Sequence, residues 1–223
     1  MNLTLFDLDG TLIPQDSDHA FGEYMVRIGW ADGAAWAARN DEFYAQYQRG
    51  ELDVDAYIDF ATSVWRSRPP AEAEAARARF MAEVMAPLMR DNARALVRQH
   101  QDAGDLVAIV TATNEFVTAP IAAAFGVEHL IAVKLQRNAA GEYNGRIDGV
   151  PSFQAGKISR VRDWLASEGR QWQDFERTTF YSDSVNDLPL LEQVSHPVAT
   201  NPTPALADIA AARGWPLLKL FEA

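Results

Sequence analysis

The run Leu3-Thr4-Leu5-Phe6 ends directly in Asp7-Leu8-Asp9-Gly10-Thr11, and this junction constrains the fold more than any other segment. A short, nearly continuous apolar run reads as a buried strand. Two carboxylates two apart at the end of a strand would point to opposite faces. The glycine directly after them lets the backbone turn, so both can be brought round one small site. Phosphoryl transfer needs such a pair, one carboxylate as nucleophile and a second as acid and base. A strand that merely ends in an Asp-Gly turn is the plainer alternative.

The rest of the chain divides at about residue 90. From about Pro14 to Met89 one helical pattern follows another. Phe21, Tyr24, Met25 and Ile28 recur at helical spacing, as do Tyr57, Phe60, Ala61 and Val64. Ala71 to Met89 reads as a helix with Phe80, Val84 and Leu88 on one stripe and Pro69-Pro70 as its start signal. The aromatics Trp30, Trp36, Phe43, Tyr44, Tyr47, Tyr57 and Trp65 suit the core of a helical bundle.

After Asp91 helices and strands alternate. Helices are expected over 92–103, 116–125, 155–167 and 188–194, and strands over 105–110, 130–135, 178–181 and 197–199. Asn144-Gly145, inside 142–147, is a strong hairpin signal. Such alternation implies a parallel sheet covered on both faces. The expected architecture is α/β: a Rossmann-like parallel sheet core from residues 1–13 and 90–223, with an all-helical cap, residues 14–89, inserted after the first strand.

The chain of 223 residues carries 20 Lys and Arg against 31 Asp and Glu, a net charge of −11. That balance argues against nucleic acid and anionic membrane as partners, which need a basic footprint. It leaves room for a small phosphorylated metabolite, because a bound metal ion can reverse the sign inside one pocket. There is no cysteine, hence no disulfide, thiolate catalysis or cysteine-based zinc site. Met1 to Phe6 has no basic segment, and Asp7 and Asp9 interrupt any signal-peptide core. No run reaches the length of a membrane span, so a cytoplasmic location is expected. Nothing in the sequence dictates an oligomeric state.

Ligands of an open parallel sheet sit beyond the carboxyl ends of its strands. Polar groups gather there three times: Asp7 and Asp9, then Thr111-Ala112-Thr113-Asn114, then Ser182-Asp183-Ser184 with Asn186 and Asp187. Lys157, preceded by Gly156, starts the helix between the last two. Taken singly, Thr111 could cap a helix, Lys157 could be solvated, and Asp183 and Asp187 could be an acidic helix start. In this order they resemble the four motifs of the haloacid dehalogenase superfamily, in particular its phosphatases with a helical cap between the first and second motifs. The first motif is matched by Asp7-Leu8-Asp9-Gly10-Thr11, the second by Thr111, the third by Lys157 and the fourth by Ser182 to Asp187.

The resemblance implies a role for each. Asp7 would attack phosphorus and form an aspartyl-phosphate, while Asp9 would serve first as acid and then as base. Mg²⁺ would be held by Asp7, the backbone carbonyl of Asp9, and Asp183. Thr111 and Lys157 would bind phosphate oxygens, assisted by backbone N–H groups near Gly10 and Ala112. Asp187 would orient a metal-bound water or Lys157, and Asn186 would support it or cap a helix. Dehalogenases and ion-pumping ATPases lack an acid at the place of Asp9, which leaves a phosphatase or a phosphomutase. A non-catalytic protein that binds a phosphorylated ligand is the alternative outside enzymes.

The cap type is similar to that of phosphoserine and histidinol-phosphate phosphatases. Where the phosphoserine enzymes have Ser-Gly-Gly, this chain has Thr111-Ala112-Thr113. A substrate carboxylate would need an arginine, for which Arg27, Arg39, Arg49, Arg66 and Arg68 are available. Asp16, Asp18, Glu23 and Glu42 could meet an amine or imidazolium, although acidic residues are more often solvated. The expected substrate is a small aminated phosphomonoester such as histidinol phosphate.

Overall fold

The computed structural model describes residues 1–221. Six parallel strands form the central sheet: β1 (Leu3–Phe6), β2 (Leu106–Asn114), β3 (His129–Val133), β6 (Thr178–Ser182), β7 (His196–Thr200) and β8 (Leu217–Leu218). Their order is β3-β2-β1-β6-β7-β8. β1 lies between β2 and β6, with Leu3 opposite Leu106 and Thr178, and Phe6 opposite Ile109 and Tyr181. Strand order reverses beside β1, which opens a crevice at its carboxyl end.

Strand alternation decides what covers each face. Leu3, Leu5, Ala108 and Val110 pack with Val161 and Leu165 of α8 (Gly156–Ser167), Leu190 and Leu191 of α9 (Leu188–Gln193), and Leu206 of α10 (Pro204–Arg213). On the opposite face Phe6 and Ile109 meet Val97 of α6 (Asp91–Asp102) and Val117 and Ile121 of α7 (Glu115–Ala124).

Between β1 and α6 the chain is helical: α1 (Ser17–Arg27), α2 (Gly33–Arg49), α3 (Val54–Arg66), α4 (Pro70–Phe80), a π-helical turn at Met81–Met85, and α5 (Ala86–Leu88). This segment does not form a core of its own. Phe21, Tyr24, Ile58, Trp65 and Phe80 join Phe6 and Phe116 in one hydrophobic cluster. Trp65 stacks on Phe116, with ring centroids 3.9 Å apart.

Four expectations are corrected. The helix expected over 71–89 is interrupted: Ala86 N–H bonds to the Met81 carbonyl five residues back, a π turn next to Pro87, which has no N–H for a regular bond. The strand expected over 130–135 ends at Val133, and Leu135 begins β4 (Leu135–Arg137). β4 pairs antiparallel with β5 (Tyr143–Ile147), but the chain turns at 138–142, where Asn138 Oδ1 accepts from Ala140 N and Glu142 N. Asn144-Gly145 lies within β5, where the register shifts and Gly145 has φ +82°. A Cβ there would fall 1.5 Å from Arg66 Nη1, so glycine serves a close approach by α3 rather than a turn. Finally, β2 runs on to Asn114, four residues past the expected end. The helix α10 and strand β8 add to the expected elements.

Candidate active site

The acids of the first motif are separated by the turn that follows β1. Gly10 adopts φ +75°, and a Cβ on it would lie 2.4 Å from Asp183 Oδ2. Glycine is therefore required twice over, for the backbone conformation and for the approach of the loop after β6. Asn201 holds the turn from below, its Nδ2 donating to the carbonyls of Gly10 and Thr11.

Asp7, 3% exposed, accepts from Lys157 Nζ at 2.8 Å. The same ammonium lies 2.7 Å from both oxygens of Asp187, with hydrogen-bond geometry to Oδ2. Ser182 Oγ also donates to that oxygen, at 2.8 Å, so Oδ1 of Asp187 is buried without a directional donor. Thr11 Oγ1 links Asp183 to Asp7, 3.1 Å from Asp183 Oδ1 and 3.5 Å from Asp7 Oδ2. Lys157, Asp187 and Asp7 are almost fully enclosed, which rules out the solvated-lysine reading.

Asp9 is held apart from this group. Its Oδ1 accepts from Ser17 N and its Oδ2 from Thr113 Oγ1, both at 2.8 Å. Thr111 Oγ1 accepts from Thr113 N at 3.1 Å, leaving its own proton free to donate. Thr111 and Ala112 line the same cavity as Asp9. Asn186 lies outside that cavity: it donates to the Tyr47 carbonyl at 2.8 Å, tying the end of α2 to the loop after Asp183.

Lys157 thus pairs with Asp7 and Asp187, while Asp183 and Asp9 add two further carboxylates nearby with no cation of their own among the hydrogen bonds they make. Burial pushes Asp7 up to about 7; Asp187 and Asp9 add to this, while Lys157 opposes it. Burial, followed by the charges of Asp7 and Asp187, raises Asp183 well above the usual carboxylate range. Burial would lower Lys157, but Asp187 and Asp7 outweigh it and hold the ammonium above its usual range. Asp9 is raised to about 7 by burial and by Asp16, against the hydrogen bonds from Ser17 and Thr113. A divalent cation fits this excess of negative charge. Among the described residues no three His, Cys, Asp or Glu side chains form a metal cage. Two carboxylates and a carbonyl suit Mg²⁺, which keeps several waters, better than Ca²⁺, which takes more ligands.

Above Asp9 the cavity opens toward α1, α2 and α3, with about 480 Å³ of free space including its mouth. Its lining includes Asp16, Asp18, Tyr44, Tyr47, Tyr57 and Phe153, and no lysine, arginine or histidine. Asp18 is 4% exposed and takes both Nδ2 hydrogen bonds of Asn114 at 3.1 Å, with the Tyr57 hydroxyl alongside. Burial raises Asp18 to about 7 and Asp16 to about 6.

The solvated reading of the acids is thus overturned for Asp18; Asp16 is half-buried and caps α1, its Oδ1 accepting from His19 N. The solvated reading holds for Glu23 and Glu42, which are exposed beside His19 and Arg39 respectively. None of the five arginines reaches the cavity: Arg27, Arg39, Arg49 and Arg66 pair with Glu83, Glu42, Glu51 and Asp59, and Arg68 stacks over Trp30. Thr113 and Asn114 were visible as polar residues at a strand end, without a sign of which acids they hold. The backbone donor at Ser17 and the tether at Asn201 leave no trace in residue type.

A family model described as haloacid dehalogenase-like hydrolase matches residues 4–192. The chain is 43% identical over 217 residues to a histidinol-phosphatase of Neisseria meningitidis serogroup C (strain 8013), covering 97% of this chain and 98% of that one. A crystal structure of a protein of unknown function from Bordetella pertussis Tohama I superposes with a TM-score of 0.93 at 49% identity, covering 99% of both chains. A substrate-bound phosphoserine phosphatase shares the fold, with a TM-score of 0.68 at 18% identity over 97% of this chain and 91% of that one.

Proposed function

The chain belongs to the haloacid dehalogenase-like hydrolases, and on that premise we propose that it is a Mg²⁺-dependent phosphatase of a small aminated phosphomonoester, histidinol phosphate being the best fit. Asp7, Asp183 and the backbone carbonyl of Asp9 would hold the ion. Bound there, it would neutralise charge on the phosphoryl oxygens and keep Asp7 ionised.

The reaction runs in two displacements. The Asp7 carboxylate attacks phosphorus as the bond to the ester oxygen breaks, and Asp9 gives its proton to the departing alkoxide. A water then attacks the aspartyl-phosphate; Asp9 takes the water's proton, and the Asp7–phosphorus bond breaks to release phosphate. A carboxyl near neutrality in pKa can carry out both proton transfers at neutral pH, which supports this role for Asp9. Lys157 and Thr111 provide donors for the phosphoryl oxygens, and Asp187 holds Lys157 in place.

The cavity wall carries the choice of substrate. Asp16, Asp18 and the tyrosines face the organic half of the ester with no arginine, lysine or histidine among them. A substrate carboxylate would be repelled there, whereas an amine or imidazolium would be attracted. This favours an amino alcohol phosphate over phosphoserine. The helical segment 14–89 would act as the cap, since it supplies Asp16, Asp18 and the tyrosines. Phosphate release with Mg²⁺ from histidinol phosphate, phosphoserine and an aryl phosphate tests the proposal. The expected order of kcat/KM puts histidinol phosphate first. Preference for phosphoserine would overturn the substrate class, and no release from any ester would overturn the phosphatase reading.

A further inference from the structure

The strand end at Thr113 has a part in the reaction beyond the groups named above. Asp9 is gripped at both oxygens. Oδ1 accepts from the backbone N–H of Ser17 at 2.8 Å, and a backbone amide can only donate. That oxygen therefore keeps a lone pair toward Ser17 in either protonation state, and because a protonated oxygen accepts poorly, a proton on Asp9 is favoured on Oδ2. Oδ2 is the atom that Thr113 Oγ1 meets at 2.8 Å.

A hydroxyl, unlike an amide, can turn its proton to suit a changing partner. The oxygen of a carboxylic O–H is a poor acceptor, and the same oxygen in a carboxylate is a good one, so this hydrogen bond strengthens as the proton leaves. An interaction that strengthens along the reaction accelerates it.

Thr113 is itself held still. It is 6% exposed, and its backbone N–H donates to Thr111 Oγ1 at 3.1 Å. The next residue, Asn114, is fixed by Asp18 and by accepting from Val117 N at the start of α7.

We propose that Thr113 is a positioning residue for the general acid: its hydroxyl fixes the rotamer of Asp9, reserves Oδ2 for the transferred proton, and stabilises the carboxylate that transfer leaves behind. The inference rests on the phosphatase reading above. In the first displacement the phosphorus–oxygen electron pair goes to the leaving oxygen, which takes the proton from Oδ2; Thr113 then donates to Oδ2.

The test uses Thr113→Val, which keeps the branched shape, and Thr113→Ser, which keeps the hydroxyl, each assayed with an alkyl and an aryl phosphate. kcat/KM reports the first displacement, and an aryloxide leaves with little need of a proton. The expected result is a loss in Thr113→Val that is roughly 10-fold or more greater for the alkyl ester than for the aryl ester, carried by kcat with KM little changed. Thr113→Ser should recover most of it. Equal losses with both esters, or a serine variant as impaired as the valine one, would overturn the proposal while leaving the phosphatase intact. Absence of phosphate release by the unaltered enzyme would instead refute the reading beneath it. A thermal melt of each variant separates a fold defect, which would slow both esters alike and so count against the proposal.

Discussion

Asp183→Asn should make the metal-free protein more stable while depriving it of its metal. Asp183 is half-buried beside Asp7 and Asp187, and desolvation followed by those charges raises its carboxyl well above the usual range. Asparagine has the same shape, and its Oδ1 can still accept from Thr11 Oγ1, which lies 3.1 Å from the present oxygen. The sign follows from proton counting. Below about pH 4 the carboxyl is neutral folded and unfolded, so aspartic acid and asparagine are alike. As pH rises, the unfolded chain releases the proton first and the native one retains it. Stability of the unaltered protein then falls through this window, and it stays low above the raised native pKa. The asparagine variant escapes that loss. A half-buried carboxylate crowded by two others costs about 2 kcal/mol. For a chain of this size that converts to a Tm about 4–8 °C higher in chelator near pH 8, with the difference closing near pH 4. Excess Mg²⁺ should reverse the ranking: at ~100 times Kd it adds about 2.7 kcal/mol to the unaltered protein and far less to the variant. Thermal or urea unfolding at both pH values, with chelator and with Mg²⁺, measures all four conditions. A variant no more stable than the parent near pH 8 in chelator, or one equally stabilised by Mg²⁺, would refute the reasoning.

Asp7→Asn should abolish phosphate release, and Asp9→Asn should keep a stoichiometric burst of phenol from aryl phosphates while turnover collapses; rapid-quench kinetics on both checks this. Ca²⁺ added to the Mg²⁺ enzyme should inhibit, because it draws more ligands at longer distance than this site provides, and a titration at fixed Mg²⁺ reads the competition. Asp18→Asn should lower kcat/KM for histidinol phosphate roughly 10- to 100-fold relative to an aryl phosphate, and parallel kinetics that show equal losses would remove amine recognition from Asp18. Gly10→Ala should lower stability by at least ~1–2 kcal/mol, from the left-handed backbone alone, and displace Asp183 as well; a melt and a Mg²⁺ titration detect both effects.

The sheet was legible because its central strands are short, largely apolar or β-branched and aromatic runs between helical patterns, and the acids Asp7, Asp9 and Asp183 because each stands at a strand's end. Lys157 was legible only in combination with those acids, since a lysine at a helix start is usually solvated. The fate of Asp18 was hidden for a physical reason. Its burial depends on Asn114, 96 residues away, and on Tyr57, and no local pattern marks which surface acid will find such partners. Asn144-Gly145 misled in the opposite way. The pair carries the chemistry of a tight turn, but here the positive φ lets Arg66 lie against the backbone, while Asn138 makes the turn with its own side chain. The π turn at Met81–Met85 had its signal in Pro87, read as one more residue of a helix.

The position of β1 at the centre of the sheet also governs how the chain can fold as it is synthesised. β1 is made first, yet its neighbours β2 and β6 begin 103 and 175 residues after Leu3, at Leu106 and Thr178. Until β6 has left the ribosome, one edge of Leu3–Phe6 is unpaired and Asp7 lacks both Lys157's second anchor and the Asp183 loop. Loop closures of this length slow folding and leave an apolar edge exposed meanwhile. The helices that emerge between β1 and β2 share the cluster that contains Phe6, so they can shelter one face of the waiting strand. Nascent chains ending before Thr178 should therefore be collapsed and aggregation-prone, and those extending past α9 should be the first to acquire protease resistance.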